Sequence, residues 1–155
     1  MRVNKQPNSN NCFVCGRNNP HGLYMSFYDN GEDEVESHYT VPRSFEGYPG
    51  IVHGGVQAAI LDEIIGRVSL IEDFHAFMMS VRLDVKYRNP VPVEVPLHIV
   101  AKREVMRDRF AKAEGIIYLP DGTVGSEASV KLVRLPKDFR MGVGVSEELG
   151  WRVDP

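Results

Sequence analysis

Between positions 54 and 72 the chain carries apolar side chains nearly all the way round a helical wheel: Val56, Ala58, Ala59, Ile60, Leu61, Ile64, Ile65, Val68 and Leu70. A helix without a polar face has to be enclosed. With 155 residues there is room for one domain and one core, so the enclosure must come from the rest of the chain. The remaining segments read as strands. Residues 23–28 and 35–41 are short β-prone runs joined by Asp29-Asn30-Gly31, a tight-turn sequence. Four more runs follow the helix, at 77–87, 97–105, 110–119 and 123–135, the last two joined by Asp121-Gly122. In the first of these, Val81, Leu83, Val85 and Tyr87 alternate with Arg82, Asp84, Lys86 and Arg88, the period-two pattern of a strand with one solvated face. Two strands, one long helix and four strands predict an α+β domain, an antiparallel curved sheet wrapped around a central helix. That domain is expected over 22–135, after an irregular Asn-, Pro- and Gly-rich lead-in over 1–21. A tail over 136–155, with the lone Trp151, is expected to dock on the domain or on a partner.

Composition narrows the partners. A net charge of −3 with scattered Lys and Arg lacks the basic stripe that nucleic acid requires. No run reaches the roughly 18 to 20 apolar residues of a membrane span, and the N-terminus has no secretory core, which predicts a cytoplasmic location and no membrane partner. In a reducing compartment the two cysteines, Cys12 and Cys15, are thiols, metal ligands or a redox pair rather than a structural staple.

The helix entrance carries the chemistry. Tyr48-Pro49-Gly50 has Pro and Gly where a type II turn needs them, and His53, Gly54 and Gly55 follow at the start of the helix. Helix N-terminal amides can hold a developing oxyanion, and glycine lets a ligand approach them. Asp62 is seven residues beyond Gly55, almost two full turns, and points the same way; Ala58, Ala59 and Gly66 on that face leave open volume above it. An ionised carboxylate on an oily helix is costly unless paired or solvated, so Asp62 is a candidate for chemistry, whereas Glu63 suits a surface position. Seven residues of rise separate the two groups by about 10.5 Å along the axis. A reacting carbonyl needs both donor and attacking group at about 3 Å. The simplest resolution is a two-fold dimer in which Gly55 of one subunit faces Asp62 of the other.

These residues also resemble a known family. His53-Gly54-Gly55 with an acid nine residues after the histidine, the 80–92 stretch Ser-Val-Arg-Leu-Asp-Val-Lys-Tyr-Arg-Asn-Pro-Val-Pro, and the lead-in Cys12-Phe13-Val14-Cys15-Gly16 with Asn19-Pro20-His21-Gly22-Leu23 are similar to the hotdog-fold acyl-CoA thioesterases. The particular likeness is to the phenylacetic-acid-degradation-type, or PaaI-like, branch, over residues 12–134. The resemblance implies hydrolysis of an acyl-CoA thioester at the interface of a homodimer or a dimer of dimers. It makes Asp62 the general base or nucleophile and the Gly55 N–H the oxyanion donor. His53 and Gly54 would meet the substrate, and Ser80 would orient water or substrate beside the acid. Some relatives place that hydroxyl four residues after the acid on the helix. Gly66 stands there in this chain, so the role passes to Ser80 or Ser69. Two alternatives remain, a 3-hydroxyacyl thioester dehydratase or hydratase and a non-catalytic acyl-CoA-binding module.

A thioester has weak resonance and a good leaving group, so a carboxylate and an oriented carbonyl suffice without a cofactor. No Gly-x-Ser-x-Gly elbow is present. Arg82, Lys86 and Arg88 share one strand face, and Arg88 is the candidate for a coenzyme A phosphate. Cys12-x-x-Cys15 with His21, and His38 as a further ligand, resembles half of a zinc site. The expectation is no metal, with the cysteines acting as small apolar groups in a loop over the helix. His98 shows no partner pattern.

Overall fold

The computed structural model describes residues 4–138 and 146–155; the parts of the expected lead-in and tail at 1–3 and 139–145 lie outside them. Seven strands, β1 (Asn4–Lys5), β2 (Tyr28–Asp29), β3 (Glu34–Thr40), β4 (Met78–Tyr87), β5 (Pro96–Met106), β6 (Phe110–Tyr118) and β7 (Val124–Arg134), surround one helix, α1 (Gly54–Gly66). The strands form one antiparallel sheet in the order β1-β2-β3-β5-β6-β7-β4. Ile60, Leu61, Ile64 and Ile65 of α1 are fully buried among Ile99, Ala113, Ile117 and Leu132 of the sheet, each large side chain contributing about 1.5 to 3 kcal/mol. The enclosure expected for the helix holds: every residue of α1 except Gly55 is buried or half-buried. Among the described residues no helix is long and apolar enough to cross a membrane.

The turns are where the residues put them. Gly50, Gly31 and Gly122 have φ of 80°, 78° and 87°, and the Ile51 N–H closes the first turn on the Tyr48 carbonyl at 2.9 Å. Three elements differ from expectation. Only Tyr28 of the run at 23–28 is strand, joined by Asp29 beyond it in β2, because Tyr24 takes a φ of 59° and the segment bonds instead to the lead-in, Leu23 N–H to the Phe13 carbonyl and Met25 N–H to that of Val14. The helix stops at Gly66 rather than 72 and tightens into a 3-10 turn, Arg67–Leu70. Gly is a poor helix former, and the Ser69 hydroxyl donates back to the Gly66 carbonyl at 3.0 Å.

The third difference is in β4, which lies at the sheet edge and has no buried face: Val81 and Leu83 are exposed. Its alternation is also broken by a bulge at Val81, where Ser80 pairs with Leu132 but Arg82 pairs with Lys131. Ser80, Leu83 and Val85 therefore stand opposite Leu132, Val130 and Ala128, all on the helix side. Strict alternation would have put Ser80 on the other face from Leu83.

The lead-in is irregular apart from β1, and buried amides replace a ladder. Asn8 Nδ2 donates to the carbonyls of Cys15 and Met25, both at 2.8 Å, and its backbone bonds Arg152 of the tail in both directions. The tail thus docks on its own domain, with Trp151 Nε1 donating to the Phe74 carbonyl at 2.7 Å.

Gly115 of β6 is where sheet and helix come closest. A Cβ there would lie 2.7 Å from Ile65 Cγ1, and Ile65 is a stiff, fully buried side chain. Gly115→Ala is expected to destabilise the fold by about 1 to 3 kcal/mol, read as a lower urea midpoint with an unchanged slope.

Candidate active site

Two cavities flank α1. The first, about 440 Å³, is lined by Asp62, Glu63 and Gly66 of the helix, Ser80 of β4, Cys12 of the lead-in and Trp151 of the tail. The second, about 660 Å³, lies at the helix entrance between Tyr48, His53, Gly54, Tyr87 and Arg88. Five of the six site residues predicted from sequence therefore fall into two groups within one chain, Asp62 with Ser80 and His53 with Gly54 and Arg88. Gly55 is exposed on the helix tip.

In the first cavity Ser80 Oγ donates to Asp62 Oδ1 at 2.5 Å, within the range of a charge-assisted O–H···O bond. Of the two serines that could serve the acid, Ser80 is the one bonded to it, while Ser69 is turned to Gly66. Gly66 also contributes the open volume expected above Asp62: a Cβ there would meet nothing within 4 Å.

At the entrance His53 is the helix N-cap, and its Nδ1 accepts the Gly55 N–H at 2.9 Å. The proton of that neutral ring is on Nε2. The amide proposed to meet a ligand is thus already engaged by a side chain of the same site. Both glycines permit close neighbours, since a Cβ on Gly55 would be 3.1 Å from His53 Nδ1 and one on Gly54 would be 3.4 Å from Tyr87 Oη. Tyr87 donates to the Gly54 carbonyl at 2.7 Å. Arg88 is half-exposed and bonded to Glu127 at 3.0 Å, and Arg82 pairs with Asp84.

Glu63 does not take the surface position expected of it. It is half-buried, its Oε1 accepts from Arg67 Nε at 3.1 Å, and its Oε2 accepts from Cys12 Sγ at 3.8 Å. Burial pushes its carboxyl up and the Arg67 guanidinium holds it back. Arg67 has a side chain only 2% exposed; it donates to the Pro7 carbonyl and lies over the Phe27 and Trp151 rings. Neither Arg67 nor Trp151 was singled out for this site, because each reaches it through a packing arrangement that no motif encodes.

The cysteines line the loop over the helix, as expected, but they are polar partners as well as small ones. The Cys12 thiol and then the Arg67 charge hold Cys15 down to about 5. Cys12 is pushed up by its bond to Cys15, by burial and by the Glu63 carboxylate. The third ligand-bearing group beside them is Glu63, not His21 or His38. At neutral pH the native chain is expected to show the ultraviolet absorbance of one thiolate, disappearing on acidification with a midpoint near 5 and missing from Cys15→Ser.

A curved antiparallel sheet around one long helix, with acid and glycines on that helix, defines a hotdog-fold domain. A family model described as Thioesterase superfamily matches residues 49–126, and the chain belongs to that family. Mouse acyl-coenzyme A thioesterase THEM4 is 28% identical over 120 residues, 72% of this chain and 48% of that protein. The chain spans about half the length of the curated relatives it matches. Among solved structures, protein RHA08564, a thioesterase superfamily protein, aligns with a TM-score of 0.70 at 27% identity, covering 79% of this chain and 62% of that one. The E. coli PaaI protein, from the phenylacetic acid degradation operon, aligns with a TM-score of 0.66 at 13% identity over 74% of this chain and 81% of its own.

Proposed function

We propose that this chain hydrolyses acyl-CoA thioesters at sites shared between two copies. The observation that carries the reading is Asp62, a carboxylate held by Ser80 at 2.5 Å against an open cavity, in a chain of the thioesterase superfamily. The name of the THEM4 relative supports an acyl-CoA substrate.

Separation of the two cavities is the reason for a second copy. The ten-residue strand β4 ends the sheet with one edge unpaired among the described residues, and Met79 and Val81 are 48% and 51% exposed on it. Long apolar edges of this kind are ordinarily covered. Two β4 edges pairing about a two-fold axis would continue the sheet and set the two helices antiparallel. The entrance of one α1 would then lie beside Asp62 of the other, giving two equivalent sites.

In that site Asp62 takes a proton from water as the oxygen attacks the thioester carbonyl, or attacks it directly, with Ser80 fixing the carboxylate in either case. Negative charge develops on the carbonyl oxygen, and the Gly55 N–H of the partner copy stabilises it as the carbonyl displaces the His53 imidazole from that amide. Collapse expels coenzyme A as thiolate. Where Asp62 has acted as base it returns its proton to the sulfur. Where it has attacked directly, the acyl–Asp62 anhydride is cleaved by a water that frees the acid, restores the carboxylate and leaves its proton for the thiolate. His53 and Gly54 border the entrance, and Arg88, released from Glu127, meets a phosphate of coenzyme A.

Asp62→Asn is expected to lower thiol release from acyl-CoA by about 100-fold or more, and Ser80→Ala by about tenfold. Equal release by Asp62→Asn and the unaltered chain would remove Asp62 from the mechanism; binding without release would leave an acyl-CoA-binding module. Leu83→Arg, on the exposed edge, is expected to yield monomers by sedimentation and to abolish turnover together with dimerisation.

A further inference from the structure

We infer that the face of the sheet turned away from α1 carries a binding site for a divalent transition metal, built from Glu36 and His38 of β3 and His98 of β5. Val35 of β3 is fully buried in the core and Leu97 and Ile99 of β5 are buried beside it, so alternation places Glu36, His38 and His98 together on the outer face. His38 and His98 are direct partners in the β3–β5 register. Their rings are parallel, 1° between planes with centroids 4.3 Å apart. Glu36 Oε2 lies 2.9 Å from His98 Nε2 and 3.7 Å from His38 Nε2, and the three ligand atoms are all within 4.8 Å of one another.

Ligand atoms bound at about 2.1 Å to a tetrahedral ion lie about 3.4 Å apart. The two distances to Glu36 straddle that value. Because an imidazole holds an ion in its own ring plane, the two parallel rings also swing toward each other about χ2 to aim both Nε2 lone pairs at one ion. Two imidazoles and one carboxylate select zinc and its first-row neighbours over magnesium or calcium, which prefer all-oxygen shells.

Charge supplies the second argument. The Glu36 side chain is 7% exposed, and its ion-pair partners among the described residues are these two histidines, with no lysine or arginine. The 2.9 Å contact with His98 Nε2 hydrogen-bonds one carboxylate oxygen but brings no fixed positive charge to it, and a shared divalent cation supplies that charge. The rings themselves are about half-exposed, 53% for His38 and 41% for His98, leaving a fourth position open to water. None of the three residues lines either cavity of the proposed active site.

Cys12, Cys15 and Glu63 also have ligand spacing, but Arg67 is bonded to Glu63 there, and its buried guanidinium sits where a metal would repel it. That cluster is the control to be removed. His38 and His98 are sixty residues apart in sequence, and only the register makes them neighbours.

The test uses the full chain carrying Cys12→Ser and Cys15→Ser, titrated with zinc against a chromophoric chelator and with cobalt by absorption. One ion per chain is expected, with a Kd of about 1 µM or tighter and a cobalt spectrum of nitrogen and oxygen ligands. His38→Ala, His98→Ala and Glu36→Gln should each weaken binding by about tenfold or more while leaving the metal-free melting temperature within a few degrees. Nitrogen-15 imidazole spectra should show Nε2 of both rings shifting with the ion. No stoichiometric binding, binding indifferent to the three substitutions, or a proton fixed on His98 Nε2 in the presence of excess zinc would overturn the site and leave a hydrogen-bonded charge cluster. Because every readout is taken without a thioester, the outcome is independent of the proposed hydrolysis.

Discussion

Four side chains of α1, Ile60, Leu61, Ile64 and Ile65, must be buried on one side of the helix, and the rest of the site follows from that constraint. At about 100° per residue, Asp62, Glu63 and Gly66 are then turned to the opposite side. The sheet covers the first side completely. The second is covered by loops and by the start of β4, with Cys12 and Ser9 of the lead-in, Leu149 and Trp151 of the tail, and Met78 and Ser80 of β4 around the first cavity. A carboxylate can persist there because the covering is incomplete, and because a hydroxyl from β4 meets it.

Arg67 holds that covering together. It lies one residue past α1, where the helix has tightened, and its guanidinium joins helix, lead-in and tail through Glu63, Pro7 and Trp151. A buried cation is costly unless compensated, and the compensation here is a ring face, a carbonyl, a carboxylate and the nearby Cys15 thiolate. Nη2 is buried without a hydrogen-bond partner among the described residues, a cost of about 1 to 3 kcal/mol. The Cys12 hydrogen bond lowers the Cys15 thiol most, and the Arg67 charge adds to it.

Much of this was legible in the residues because it is local. The turns at Gly31, Gly50 and Gly122 follow from dipeptides with a known φ preference, and the enclosed helix follows from its lack of a polar face. The prominence of Asp62 came from a charge in an oily setting, and Ser80, whose hydroxyl is bonded to Asp62 in the fold, came from a family resemblance. What could not be read depends on register. The bulge at Val81 has no composition signal, so the alternation of β4 implied a buried face that does not exist. Helix termination at Gly66 turns on a tertiary choice, since Arg67 contributes its carbonyl to Gln6 and its side chain to the lead-in. His38 and His98, and Arg67 and Trp151, are neighbours only through pairings of distant segments.

The bulge also answers a geometric problem. β4 is tied to α1 at both ends of the proposed site, Ser80 to Asp62 and Tyr87 to Gly54. Seven strand residues span about 23 Å, whereas the eight helical steps from Gly54 to Asp62 span about 12 Å. A straight strand parallel to the helix axis cannot make both bonds. A strand that crosses obliquely and bends can, and a bulge one residue after Ser80 bends the strand where the mismatch begins. The remaining gap is spanned by the length of the tyrosine side chain, which reaches back to the helix entrance with its hydroxyl. Tyr87 is therefore the far anchor of the same strand that delivers Ser80 to the acid.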